Sequence, residues 1–133
     1  MKKILLSLIV LLALLAGSCK KDKPLTLEQK ILGKWTWVKY EEFQIPASPS
    51  DITDNHPASD YWEFKADGSL TVFTFNQTYS ETWSKVNDNS LIINGNPISS
   101  FKITIASAKQ LVLQQEGSNN GITYITRQTF SKP

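Results

Sequence analysis

The chain has 133 residues, with 14 basic and 12 acidic side chains, one histidine, one cysteine and a net charge of +2 at pH 7. Arg127 is the only arginine and no basic patch interleaved with aromatics occurs, so the phosphate-neutralising charge that nucleic-acid binding requires is missing. A lone cysteine excludes an internal disulfide, so stability must come from a packed core, for which four tryptophans, four tyrosines and six phenylalanines are available.

Met1-Lys2-Lys3 is a short basic start, residues 4–15 are almost unbroken aliphatic, and Ala16-Gly17-Ser18-Cys19 is a run of small residues ending in cysteine. A positive start, an apolar centre and a small-residue cut site make a secretory signal. The apolar run is too short for a spanning helix, which needs about 20 residues. The pattern resembles a bacterial lipoprotein signal, although Ala16 stands where leucine is commoner. The resemblance implies removal of residues 1–18 and acylation of Cys19 by palmitate-type chains. It also implies a location in the cell envelope, at the outer membrane, on its periplasmic or surface face. Lys2 and Lys3 leave with the signal, so the mature chain carries twelve basic and twelve acidic side chains and is near neutral. Residues 19–25, with Lys20-Lys21-Asp22-Lys23-Pro24, are charged and aperiodic and read as a flexible lipidated tether.

Thr26-Leu27-Glu28-Gln29 has capping-box spacing, Leu27 and Ile31 share a helix face, and Gly33 supplies a stop. One or two helical turns are expected over 26–32. Everything beyond reads as strand. Trp35, Trp37 and Lys39 alternate with Thr36, Val38 and Tyr40. Residues 61–65 form a second strand with Trp62 and Phe64 on one face, and Ala66-Asp67-Gly68 is a hairpin turn. Strands over 69–75, 78–86 and 90–93 follow, separated by Asn76-Gln77 and Asn87-Asp88-Asn89. After the turn Asn94-Gly95-Asn96-Pro97, Phe101, Ile103 and Ile105 alternate with Lys102 and Thr104, the cleanest period-2 pattern in the chain. Residues 110–115 and 121–130 complete eight strands. Sequential hairpins with no covering helices favour an all-β, eight-stranded antiparallel up-and-down barrel after a short N-terminal helix, because closure hides the sheet edges. The domain is expected to span 26–133. Residues 44–60 are polar, hold Pro46, Pro49 and Pro57, and read as a long functional or mobile loop.

Gly33-Lys34-Trp35 after a helical turn is similar to the G-x-W signature of the lipocalins. The long first loop, the eight strands and an arginine near the end of the last strand agree with it. The order of Trp62-Glu63-Phe64-Lys65-Ala66-Asp67-Gly68-Ser69-Leu70, then Thr82-Trp83-Ser84, then Leu91-Ile92-Ile93 resembles small lipocalin-like lipoproteins of Bacteroidota-type bacteria. An eight-stranded barrel is just wide enough to be filled by side chains or to hold one small ligand. The resemblance implies a tryptophan plugging the closed end, with a guanidinium above it gaining about 0.5–2 kcal/mol of cation–π energy. Trp35 and Arg127 are the expected pair. The rival role for Arg127 is recognition of a carboxylate inside the cavity, as in the fatty-acid-binding barrels.

No catalytic constellation appears, and no enzyme activity is expected. His56, the only histidine, lies among Asp51, Asp54 and Asp60. That spacing matches no calcium loop and offers no second soft ligand for zinc, so a solvated loop histidine is expected, with no metal and no cofactor. No serine sits on a G-x-S-x-G elbow. Glu41, Glu42, Glu63 and Glu81 are expected mostly on the solvent face. The candidate ligand site is aromatic: Trp37, Trp62, Phe64, Phe73, Phe75, Tyr79, Trp83 and Phe101, with Ile103, Leu111 and Leu113 closing the far wall. The expected function is a membrane-anchored monomer binding a small hydrophobic or amphipathic molecule in the barrel. The alternative is a filled barrel serving as a protein-interaction or accessory module of the cell envelope.

Overall fold

Thr26 opens the first ordered element. Its Oγ1 accepts from the Gln29 backbone N–H at 3.3 Å, and Gln29 Oε1 accepts from the Thr26 N–H at 2.9 Å. This reciprocal box satisfies two otherwise orphaned donors and starts helix α1, Leu27–Ile31. Gly33, at φ +103°, a value side chains resist, turns the chain into the first strand. The computed structural model describes residues 24–95 and 97–133. The expected signal segment, the lipidation site Cys19 and the tether up to residue 23 lie outside the described residues.

Among the described residues nine strands follow: β1 Gly33–Ile45, β2 Ile52–Asn55, β3 Tyr61–Phe64, β4 Ser69–Thr74, β5 Gln77–Asn87, β6 Ser90–Asn94, β7 Ile98–Ala106, β8 Gln110–Asn119 and β9 Ile122–Ser131. From β3 to β9 each strand pairs antiparallel with the next, and β1 pairs with both β3 and β9. Eight strands therefore close into the expected up-and-down barrel.

The ninth, β2, corrects the reading of 44–60 as structureless. It lies on the edge of β1 that β3 occupies lower down. Gly33 to Thr36 pair with Phe64 to Tyr61, and Lys39 to Glu42 pair with Asn55 to Ile52. The changeover coincides with a bulge between Trp37 and Lys39 in the β1–β9 ladder. All four residues of β2 are exposed, so its sequence carries no apolar alternation to reveal it.

Residues 56–60 then fold back over the bulge. The His56 N–H donates to the Val38 carbonyl at 3.0 Å, and the Trp37 N–H donates to the Asp60 carbonyl at 2.8 Å. This draws His56 out of solvent, contrary to the expected solvated histidine: its side chain is 9% exposed. The imidazole stacks on Trp37 with centroids 3.5 Å apart, and Nδ1 is 2.9 Å from Asp60 Oδ2. Thr74 on β4 donates to the same Oδ2 at 2.8 Å. Asp60 is 2% exposed. Burial pushes its carboxyl up, but the bonds to His56 and Thr74 outweigh this and hold it below the ordinary aspartate value.

The lower half of the barrel is solid. Trp35, Leu91, Leu111, Leu113 and Phe130 have no exposed surface, and Ile31, Phe64 and Leu70 have 1%. The Trp35 indole donates to the Ile31 carbonyl at 2.6 Å, fastening the helix over the closed end. The expected Trp35–Arg127 pair does not form. Lys132 instead places Nζ 4.1 Å from the Trp35 ring centroid and donates to the Leu32 carbonyl at 2.8 Å. Burial lowers the Lys132 pKa from the usual lysine value. Arg127 donates through Nε and Nη2 to Gln114 Oε1 at 3.2 and 3.1 Å and lies 5.0 Å from the Phe43 ring. It alternates with Gln128, and Phe130 belongs to the interior cluster, so parity puts Arg127 on the outer face.

Two outcomes check this architecture. Lys132→Met keeps the aliphatic stem but removes the ammonium from the indole and carbonyl. It should lower the unfolding free energy in urea by about 1–3 kcal/mol, whereas Arg127→Met should stay within about 1 kcal/mol of the parent. Asp60 has a depressed folded-state pKa, so its contribution is complete above the unfolded aspartate value of about 3.9 and disappears as pH falls below it. Asp60→Asn should therefore cost about 1–3 kcal/mol at pH 7. It should also lose less further stability than the parent between pH 7 and pH 3, measured by urea midpoints at both.

Candidate functional site: the barrel cavity

Alternation along each strand sends every second side chain inward, and what those side chains are changes with height. Near the closed end they are large and apolar. Toward the other end β4 contributes Val72 and Thr74, β5 Tyr79 and Glu81, β7 Ser99 and Phe101, and β8 and β9 contribute Gln115 and Gln128. These shorter or more polar groups leave a cavity of about 370 Å³, with Trp37, Trp62 and Ile93 on its wall and Pro97 from the β6–β7 turn at its rim. That volume falls at the low end of the roughly 300–1,000 Å³ usual for small-molecule pockets.

The aromatic candidates separate into four groups. Trp37, Trp62, Tyr79 and Phe101 line the cavity. Phe64 and Trp83 are buried below it, packed edge to face at 5.4 Å, with the Trp83 indole donating to the Lys65 carbonyl at 3.0 Å. Phe73 stacks on Tyr61 at 5.5 Å on the opposite face of β4 from Val72 and Thr74. Phe75 is 80% exposed at φ 51°, in the turn after β4; the strand ends one residue before it. Phe64, Trp83, Phe73 and Phe75 are therefore not wall residues. Ile103, Leu111 and Leu113 belong to the packed core rather than to a far wall.

Several wall residues were not singled out in the sequence. Thr74, Gln115 and Gln128 share strand parity with Val72, Leu113 and Phe130, and that parity is the signal that finds them. Glu81 lies between Tyr79 and Trp83 and faces inward, against the expectation for a strand carboxylate. A Cβ added at Gly95 would stand 2.6 Å from Glu81 Oε1, so the absence of a side chain at Gly95 is what makes room for the carboxylate. Among the described residues, no lysine, arginine or histidine is on the wall.

Among the described residues, Trp37 Nε1, Trp62 Nε1 and Gln128 Oε1 are side-chain atoms closed off from solvent and without a hydrogen-bond partner. All three belong to wall residues. Beyond the cavity, the Tyr40 hydroxyl bonds Glu42. Burial and then Glu42 push the Tyr40 pKa up to about 12, so the phenol remains a neutral donor in the physiological range. Among the described residues no group of three or more His, Cys, Asp or Glu side chains is placed to hold a metal ion.

A second concavity, of about 400 Å³, lies beside the 50–51 segment at the ends of β1 and β9, against Phe43, Tyr124 and Ile125. It has no unpartnered buried polar atom, and it draws on two barrel strands rather than eight. The barrel interior is therefore the candidate site.

No protein-family model and no curated protein matches the chain. Solved structures do. A complex of bovine odorant-binding protein with a selenium-containing odorant superposes with a TM-score of 0.50 at 17% identity, over 87% of this chain and 78% of that one. A deswapped triple mutant of bovine odorant-binding protein gives 0.48 at 19% identity, over 78% and 74%. The bovine lipocalin allergen Bos d 2 gives 0.49 at 15% identity, over 80% and 75%. At these identities the likeness is one of fold: a closed eight-stranded antiparallel barrel behind a short helix, as in the lipocalins.

Proposed function

We propose that the protein is a membrane-tethered binding module of the cell envelope. Lipid on Cys19 holds it at the membrane, and the barrel takes up one small apolar or amphipathic molecule through the end beside residues 46–60. The observation that carries this reading is the cavity of about 370 Å³ above a close-packed floor. The recess opens at the barrel mouth and its lining draws on all eight barrel strands, which favours a carrier over a solid interaction module. Binding would be driven by burial of ligand surface against Trp37, Trp62, Tyr79 and Phe101, at about 25 cal/mol per Å² before ordering costs. The odorant in the bovine complex is a small molecule held by a protein of the same fold, which supports the same kind of use here.

The apolar dye N-phenyl-1-naphthylamine should gain fluorescence on mixing with the purified protein. Ser99→Trp, which places an indole in the mouth, should weaken that binding about tenfold or more while the thermal transition is retained. A parent protein that leaves the dye in water would overturn the proposal. The anchor is tested separately. In a bacterial host fed an alkyne-bearing palmitate, the parent should become labelled and partition with membranes, and Cys19→Ser should do neither.

A further inference from the structure

Charge is sorted along the barrel axis. Lys30 and Lys34 flank the start of β1, Lys65 lies in the β3–β4 turn, Lys85 beside the β5–β6 turn, Lys109 in the β7–β8 turn and Lys132 just past β9. All of these are at the closed end, which they share with Glu28, Glu63, Asp67 and Asp88. Lys102 lies midway along β7. Toward the mouth stand Glu41, Glu42, Asp51 and Asp54, on β1, on β2 and between them, then Asp60, Glu81 and Glu116. The cations at that level, Lys39 and Arg127, both lie against Glu41, at 3.0 and 4.0 Å. Among the described residues of the closed end, Lys85 is the lysine held in an ion pair, with Asp88 at 2.8 Å. The closed end is thus net positive and the mouth net negative. Leu25, Val86 and Ile105 are exposed at the closed end, so apolar side chains stand among its lysines. Lysine stems that cover apolar surface while their heads meet charge suit a bilayer interface.

We infer that the closed end docks on an anionic phospholipid bilayer and turns the mouth away from it. The inference rests on the lipid anchor proposed above and adds an orientation to it. Chain length points the same way. From Cys19 to Thr26 the backbone makes seven steps and reaches at most about 25 Å. Thr26 and Leu27 sit beside Lys85 and Asp88, so the tether enters at the closed end. β1 has 13 residues; at about 3.3 Å per residue and a tilt of about 35–45° it rises about 30–35 Å. A lipid on Cys19 therefore cannot reach a bilayer lying across the mouth. Phe75 and Ile98 are exposed there too, but they stand among acids that an anionic surface repels. The closed-end lysines gain from the same surface potential, which acts within a screening length of about 8 Å at physiological salt. Ligand then enters the cavity from the aqueous side.

Energy transfer to the membrane tests the orientation. The lipidated protein is reconstituted into vesicles of phosphatidylglycerol and phosphatidylethanolamine that carry an acceptor dye on their headgroups. A donor dye is attached at Ala66→Cys, in the closed-end turn after β3, or at Ser118→Cys, near the mouth. Transfer from position 66 should exceed transfer from position 118 at least about twofold, given the height that separates them. Lys30→Glu, Lys65→Glu and Lys109→Glu together should cut that ratio by about half or more, as should about 1 M KCl, where screening acts within about 3 Å. Flotation with the vesicles and the thermal transition should both be kept. Equal or stronger transfer from position 118 would overturn the inference. So would a ratio indifferent to the three substitutions and to salt, because the tether alone then sets the seating. Either result leaves the anchor standing. Protein that fails to float with the vesicles would overturn the anchor and the inference together.

Discussion

The structure depends on how β1 divides its hydrogen bonds. Among the described strands it alone has three partners: β9 along one edge, and β3 then β2 along the other. The bulge between Trp37 and Lys39 is where the second edge changes hands. A bulge adds one residue to one side of a ladder, bends the strand and sharpens its twist. Below it, β1 belongs to the closed wall, with Trp35 turned into the core. Above it, β1 stays paired with β9 and takes β2 in place of β3. The residues between β2 and β3 have nowhere to go but back across the bulge, and there His56 meets Trp37 and Asp60 meets Thr74.

The interior is divided by height. Below the bulge, Phe64, Leu70, Trp83, Leu91, Leu111 and Phe130 interdigitate and exclude solvent. Each such side chain is worth about 1.5–3 kcal/mol when fully buried, so the closed end holds most of the hydrophobic stabilisation. Above it, Thr74, Ser99, Gln115 and Gln128 cannot fill the same cross-section. The floor is therefore close-packed, and the upper end keeps an open recess.

The sequence was legible where its signals are local. The Thr26–Gln29 box, Gly33 and the turn at Asp67-Gly68 place their elements close to where they occur, and the spacing of eight apolar segments implies closure. It was illegible wherever strand phase breaks. Ile105 continues the clean alternation of Phe101 and Ile103, yet a bulge between Ile103 and Ile105 turns it outward, where it is 43% exposed. Phe75 extends the pattern of Phe73 in sequence, but the strand has already ended. Arg127 satisfied the expectation of a cation near the end of the last strand, while parity turned it away from Trp35. Lys132, five residues on, reaches the indole because the chain has passed the rim of the closed end. The polar strand β2 and the buried position of His56 arise from pairing with a distant segment, which no window of neighbouring residues reports.

The distribution of charge completes the logic of the cavity. Arg127 sits on the outer face and Lys132 at the closed end, and the charged residue among the described wall residues is Glu81, beside Gly95. Apolar contact alone sets a modest ceiling on affinity: roughly 0.3 kcal/mol per non-hydrogen atom for larger ligands, rising to about 1.5 for very small ones. A molecule small enough for about 370 Å³ has few atoms with which to reach that ceiling. The close-packed side chains of Leu91, Leu111 and Phe130 close the recess from below, and Glu81 is the acidic side chain on its wall.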